Sequence, residues 1–157
     1  MTITVHDVPG DGPYALTTGP DGGLWFTLVG SGEIGRYDVS TGETVRYPVG
    51  PDTGPTIITT GPDGALWFPL NQADAIGRID TAGTVSVFGL DSPGCAPVGI
   101  AAGPDGALWF VEIGAGRIGR ITPDGAVTHH SLPDAASRPH GVCAGPDGRV
   151  WFTEWAG

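Results

Sequence analysis

Lysine is missing altogether from these 157 residues, and the seven basic residues are arginines spread along the chain without a cluster. Against 17 carboxylates they leave a formal net charge of -10. That balance excludes a nucleic-acid backbone or an anionic membrane surface as the natural partner. Only two cysteines occur, Cys95 and Cys143, and no CxxC pair. They read as reduced, structural thiols rather than a disulfide framework. His140 stands three residues before Cys143, but a lone HxxC does not make a metal site. No apolar run approaches the roughly 20 residues of a membrane-spanning helix. The opening "MTITVHDVPG" lacks the basic start and apolar core of a signal peptide, so a cytoplasmic location is the expectation. Runs of good helix formers are absent as well.

What the chain does have is turn chemistry and aromatics. Its 28 glycines and 15 prolines are regularly placed and interleaved with Trp, Phe, Leu and Ile, which fits many tight turns between short strands rather than low complexity. "GPDG" begins at Gly19, Gly61, Gly103 and Gly145, each 42 residues after the last. "IGR" begins at Ile34, Ile76 and Ile118, and Trp25, Trp67, Trp109 and Trp151 keep the same interval. Such spacing is an internal repeat.

One unit reads as four strands. "VGIAAG" is a small-residue strand, "PDG" a tight turn, "ALWFVE" an alternating strand around a large aromatic, "RIGRIT" a third and "AVTHHSLP" a more polar fourth. Units of this length with four antiparallel strands predict an all-β fold, a β-propeller of 42-residue blades with the small-residue strand nearest the channel. The expected division is an outer strand over 1–11, full repeats over 12–53, 54–95 and 96–137, and a half repeat over 138–157. About 3.75 blades leave open sheet edges, which pair readily with another chain. The periodic tryptophans are expected to pack between blades. Arg36, Arg78 and Arg120 are expected to pair with a turn carbonyl or the "PDG" aspartates.

Two positions vary between repeats, and variable positions at one channel face are where propellers bind ligands. The first follows a recurring proline and holds Tyr14, Thr56, Val98 and His140. A phenol and an imidazole on a common rim suit acid/base work or substrate hydrogen bonding. The second lies three residues after each periodic Trp and holds Leu28, Leu70, Glu112 and Glu154. The two carboxylates suit cation binding or neutralising a nearby histidine, with plain surface placement as the alternative. His129 and His130 fall on the outer strand, where solvent is their expected environment. Trp155 breaks the 42-residue period and is not explained by packing.

The units "GPDGALWFTE…IGRI", with "GPY", "SRPHGV" and "WFTEWAG", resemble the virginiamycin B (streptogramin B) lyase family along essentially the whole chain. The resemblance implies a seven-bladed propeller that opens a small-molecule cyclic depsipeptide antibiotic by elimination at its ester bond, with magnesium in attendance. By position, Tyr14 resembles the family's first-blade tyrosine near the substrate, and His140 its active-site histidine of the penultimate blade. Thr56, Val98, Glu112 and Glu154 are the further substrate-binding candidates. The metal ligands and a second histidine belong to a final blade with no counterpart here, so no ligand for magnesium is identifiable. Elimination needs a base, stabilisation of an enolate-like transition state and help for the leaving carboxylate. Impaired activity is therefore expected. The alternative is a non-catalytic propeller fragment or designed blade module that self-associates to close a ring, two copies supplying about thirty strands.

Overall fold

The computed structural model describes residues 1–156. Fourteen strands follow one another as antiparallel meanders, and no helix occurs among the described residues. Blade 1 comprises β1 (Pro13–Thr18), β2 (Leu24–Leu28), β3 (Glu33–Tyr37) and β4 (Thr44–Pro48). Blade 2 comprises β5 (Thr59–Thr60), β6 (Leu66–Leu70), β7 (Ala75–Ile79) and β8 (Val85–Gly89). Blade 3 comprises β9 (Pro97–Ala102), β10 (Leu108–Glu112), β11 (Arg117–Ile121) and β12 (Val127–Ser131), and the half-blade has β13 (Pro139–Ala144) and β14 (Val150–Glu154). The all-β, partial propeller expected from the repeat is what the structure shows.

Each turn and its strands are locked by one carboxylate. Asp21 Oδ1 accepts the Trp25 indole N–H at 2.9 Å, and its Oδ2 accepts Arg36 Nε at 2.6 Å. Asp63 binds Trp67 and Arg78 at 2.9 and 2.7 Å, and Asp105 binds Trp109 and Arg120 at 3.0 and 2.7 Å. The "PDG" aspartate thus ties the first hairpin to the third strand, one of the two pairings anticipated for the arginines. In the half-blade Asp147 keeps its tryptophan, Trp151, at 3.1 Å but has no third-strand arginine, and Arg149 stays 3.9 Å away. The glycines of "GPDG" and "IGR" are steric necessities. A Cβ on Gly19 would overlap the Trp25 ring, and one on Gly35 would overlap Phe26; both clashes recur in blades 2 and 3.

The core lies between blades. One cluster joins Trp25 and Ile34 of blade 1 to Leu66, Phe68 and Ile79 of blade 2. Another joins Trp67 and Ile76 of blade 2 to Leu108, Phe110 and Ile121 of blade 3. Polar links run beside them: Thr27 Oγ1 donates to the Thr56 carbonyl at 2.7 Å, and Thr56 Oγ1 donates to the Val98 carbonyl at 2.8 Å. The first strands therefore neighbour one another in the order β1, β5, β9, β13, tracing an arc.

Three expectations need correction. Residues 1–11 form no strand. An outer strand needs a third strand beside it, and the half-blade offers only β13 and β14. The segment lies instead against blade 1, where His6 Nδ1 and Tyr37 Oη are 2.9 Å apart. The periodic tryptophans are not equivalent: Trp25 and Trp67 are fully buried, Trp109 is partly buried and Trp151 is 56% exposed, because no blade covers the last. Finally, the even 42-residue spacing conceals a compensated shift. Tyr47, Phe88 and His130 face Ile34, Ile76 and Ile118 and stack on Trp25, Trp67 and Trp109, although Tyr47 stands 41 residues before Phe88. Blade 1 has a longer outer turn and a correspondingly shorter exit loop.

Candidate functional site

The entry to each of the four repeats is held by the same backbone device. Gly12, Gly54, Ala96 and Arg138 precede the prolines of the four repeats, and all are left-handed, with φ of 65°, 59°, 48° and 54°. Glycine occupies this region freely, whereas Ala96 and Arg138 are there at a cost of about 1 kcal/mol or more. The turned carbonyl anchors the segment leaving the second strand. Val29 N donates to Gly12 O at 2.9 Å, Asn71 N to Gly54 O at 3.0 Å and Trp155 N to Arg138 O at 3.1 Å. Position 155 is thereby brought beside position 140.

His140 is half-buried as the second residue of β13. The Trp155 ring stacks on its imidazole with centroids 4.1 Å apart and planes 13° from parallel. The Arg138 guanidinium carbon lies 5.8 Å from the centroid of that same indole. Arg138 and Trp155 were not among the candidate site residues. Their signals were present as departures from the repeat: an arginine in a column of small residues, and a tryptophan outside the period.

The other rim residues are placed differently. Tyr14 is 54% exposed at the opposite end of the arc, on a cavity of about 300 Å³ that Leu16, Phe26, Tyr37, His6 and Val8 also line. With β5 and β9 between their strands, Tyr14 and His140 are not brought together. Thr56 and Val98 are buried and bonded to each other, so they join blades 2 and 3 instead of presenting groups to a ligand.

Glu112 is also not a surface group. Its side chain is fully buried, accepts Arg117 Nε on Oε2 at 2.5 Å, and has His129 Nδ1 3.2 Å from Oε1. That second approach is within ion-pair range but lacks hydrogen-bond alignment, leaving Oε1 without a bonded partner. His129 and His130 are exposed as expected, yet His129 is partly engaged by Glu112 and His130 is stacked on Trp109. Blades 1 and 2 carry Leu28 and Leu70 where blade 3 carries Glu112. Glu154 is exposed, across the ladder from Pro139. Cys95 is buried, and burial first, with the nearby carboxylates of Glu112 and Asp74 next, pushes its thiol up to about 12, so it is no nucleophile.

The residues present do not fit the magnesium that the resemblance implies. Among the described residues no three His, Cys, Asp or Glu side chains converge as a metal site. Glu112 is engaged by Arg117, and Glu154 stands apart. What the half-blade offers is an imidazole stacked on an indole that a guanidinium also approaches, a group able to bind a polar or aromatic partner and to exchange one proton.

Known proteins place this architecture. Virginiamycin B lyase from Mycolicibacterium smegmatis is 60% identical over 40 residues, covering 26% of this chain and 14% of that protein. The Streptomyces coelicolor virginiamycin B lyase is 56% identical over 48 residues, 31% and 16% of the two chains. A virginiamycin B lyase structure from Staphylococcus aureus superposes with a TM-score of 0.92 at 42% identity, covering 96% of this chain and 52% of that one. A catalytically inactive histidine-to-alanine variant of the same enzyme with quinupristin gives 0.88 at 44% identity, covering 91% and 49%. The chain thus spans about half the length of the solved relatives and matches a smaller share of the curated ones. The virginiamycin B lyase family profile matches residues 2–157, and the chain belongs to that family.

Proposed function

We propose that this chain supplies part of a streptogramin B lyase-like propeller, acting on a cyclic depsipeptide by elimination at its ester bond. The observation that carries this reading is His140. Among Tyr14, Thr56, Val98 and His140 it alone carries an imidazole, a ring with both a donor and an acceptor nitrogen, and it is held half-buried beside Trp155. Membership of the family and the quinupristin complex of a solved relative support the substrate class.

In this reading the His140 imidazole holds or moves one proton at the reacting end of the ester. Arg138 adds positive charge over the Trp155 indole, and the Tyr14 hydroxyl contributes a hydrogen bond from the far side of the channel once the ring is complete. A general acid or base of this kind contributes about 10²–10⁴-fold. No step is assigned to magnesium, for which these residues form no site. Incubation with a streptogramin B antibiotic and magnesium is expected to yield a linear product slowly and without oxygen taken from labelled water, and His140→Ala is expected to lower its rate by about 10²–10⁴-fold. Oxygen incorporation, or turnover unchanged in His140→Ala, overturns the assignment.

A second reading, self-association of blades, is favoured by one comparison. Trp25 and Thr27 are buried under blade 2, and Thr27 bonds the Thr56 carbonyl, whereas their half-blade counterparts Trp151 and Thr153 are exposed. Tyr14 and Leu16 are likewise exposed on blade 1. The half-blade of one copy can meet blade 1 of a second by the contact blades 1 and 2 already make. Solution mass decides: a dimer supports this reading, and a folded monomer at high concentration rejects it.

A further inference from the structure

Trp155 is 63% exposed and contributes little to the core, yet it is the one side chain seen stacked on His140. Three independent features put it there. Its backbone N–H is bound to Arg138 O at 3.1 Å, and the next N–H, of Ala156, is bound to Ser137 O at 2.9 Å. Arg138 is held in the left-handed region that turns this carbonyl outward, with Pro139 fixing the strand that follows. The rings then meet nearly parallel at 4.1 Å. The corresponding neighbours in the other repeats are Tyr14 with Val29, Thr56 with Asn71 and Val98 with Ile113, so at this pair of positions only the half-blade sets an aromatic plane against an imidazole.

From this geometry we infer that Trp155 is a positioning residue for His140. The indole fixes the imidazole plane by offset stacking, worth on the order of 1 kcal/mol and enough to favour one side-chain rotamer over its alternatives several-fold. The imidazole nitrogens stay free, because stacking occupies the ring face and leaves the edges for hydrogen bonding. A side chain acting through its face therefore orients the proton-carrying edge without competing for it. Arg138 belongs to the same arrangement, its guanidinium resting 5.8 Å from the indole centroid and restraining the other partner of the stack. The inference about orientation stands on the contact itself. Its consequence for turnover rests on the lyase reading above.

The test separates the two. In the full chain, the carbon-bound imidazole protons of His140 are expected to resonate upfield of ordinary imidazole positions, shifted by the indole ring current. Trp155→Ala should return them to ordinary positions, Trp155→Phe should retain part of the shift, and thermal stability should hardly change because the residue is largely exposed. If the His140 signals do not move in Trp155→Ala, the positioning role is overturned, whatever the activity. Where turnover is measurable, Trp155→Ala should lower kcat by about fivefold, the equivalent of that stack, with KM little changed and partial recovery in Trp155→Phe. A rise in KM alone would mean that Trp155 contacts substrate and does not act through His140. Absence of turnover in the parent chain would count against the lyase reading while leaving the ring-current result to decide the orientation.

Discussion

Thr56 donates its hydroxyl to the main-chain carbonyl of Val98 at 2.8 Å, across the junction of blades 2 and 3, and both residues are buried. A position whose type varies between repeats is here a cross-blade tie. Thr56→Val keeps the shape and leaves the Val98 carbonyl without this partner. The expected loss is about 1–3 kcal/mol, read as a lower midpoint in urea with an unchanged slope. An unshifted midpoint would show that the bond contributes nothing net.

The buried Glu112–Arg117 pair makes a sharper prediction, because blade 2 provides the neutral alternative. Arg117→Ala alone strands a buried carboxylate and should cost about 3–5 kcal/mol. Glu112→Leu combined with Arg117→Ala recreates the Leu70 and Ala75 environment of blade 2 and should restore most of that loss. Denaturation of the single and double variants forms a cycle. Additive losses would mean that the two side chains do not interact.

Ala96 has φ of 48° in a column where Gly12 and Gly54 stand. Ala96→Gly should stabilise the protein by up to about 1 kcal/mol, net of the larger chain entropy of glycine, and Gly54→Ala should destabilise it by at least as much. Thermal midpoints shifted in opposite directions, the Gly54→Ala shift at least as large, are the readout. A destabilised Ala96→Gly would show that the methyl group packs usefully enough to outweigh the backbone strain.

The turn aspartates set an acid limit. The Asp105 carboxyl is held below its ordinary value of 3.8 by the Arg120 hydrogen bond first and the Trp109 indole next. Partial burial pushes Asp63 the other way, but its bonds to Trp67 and Arg78 prevail and its value is also lowered. A carboxyl lowered by folding adds stability that is fully present above its unfolded value, and that stability is lost as pH falls through the folded value. Thermal midpoints should therefore be flat near neutrality and drop below about pH 4. Asp63→Asn should be less stable by about 1 kcal/mol at pH 7, since the pair is partly exposed, and should respond less to acid.

Much of this architecture is legible in the residues, for a physical reason. A repeated blade must solve the same packing problem at each copy, so Asp63, Trp67 and Arg78 recur at fixed spacing because Asp63 bonds both of the others, and Gly77 recurs because the Phe68 ring lies on it. Features built from departures are harder to read. Glu112 ends β10, where a carboxylate would ordinarily point to solvent, and only the neighbouring strands show Arg117 and His129 on the same side. The shift in blade 1 escapes detection because its two one-residue changes cancel within one period. The stack of Trp155 on His140 depends on a left-handed arginine, a conformation that residue identity does not announce.

Because each aromatic cluster is assembled from two adjacent blades, the junction rather than the sheet is the unit of cohesion. The chain should then open like a zipper from its ends. Amides of β6 and β7, flanked on both sides, should exchange with solvent most slowly, and those of β14, with an uncovered face, should exchange first. The half-blade that carries His140 is thus also the segment with the least grip on the rest of the molecule.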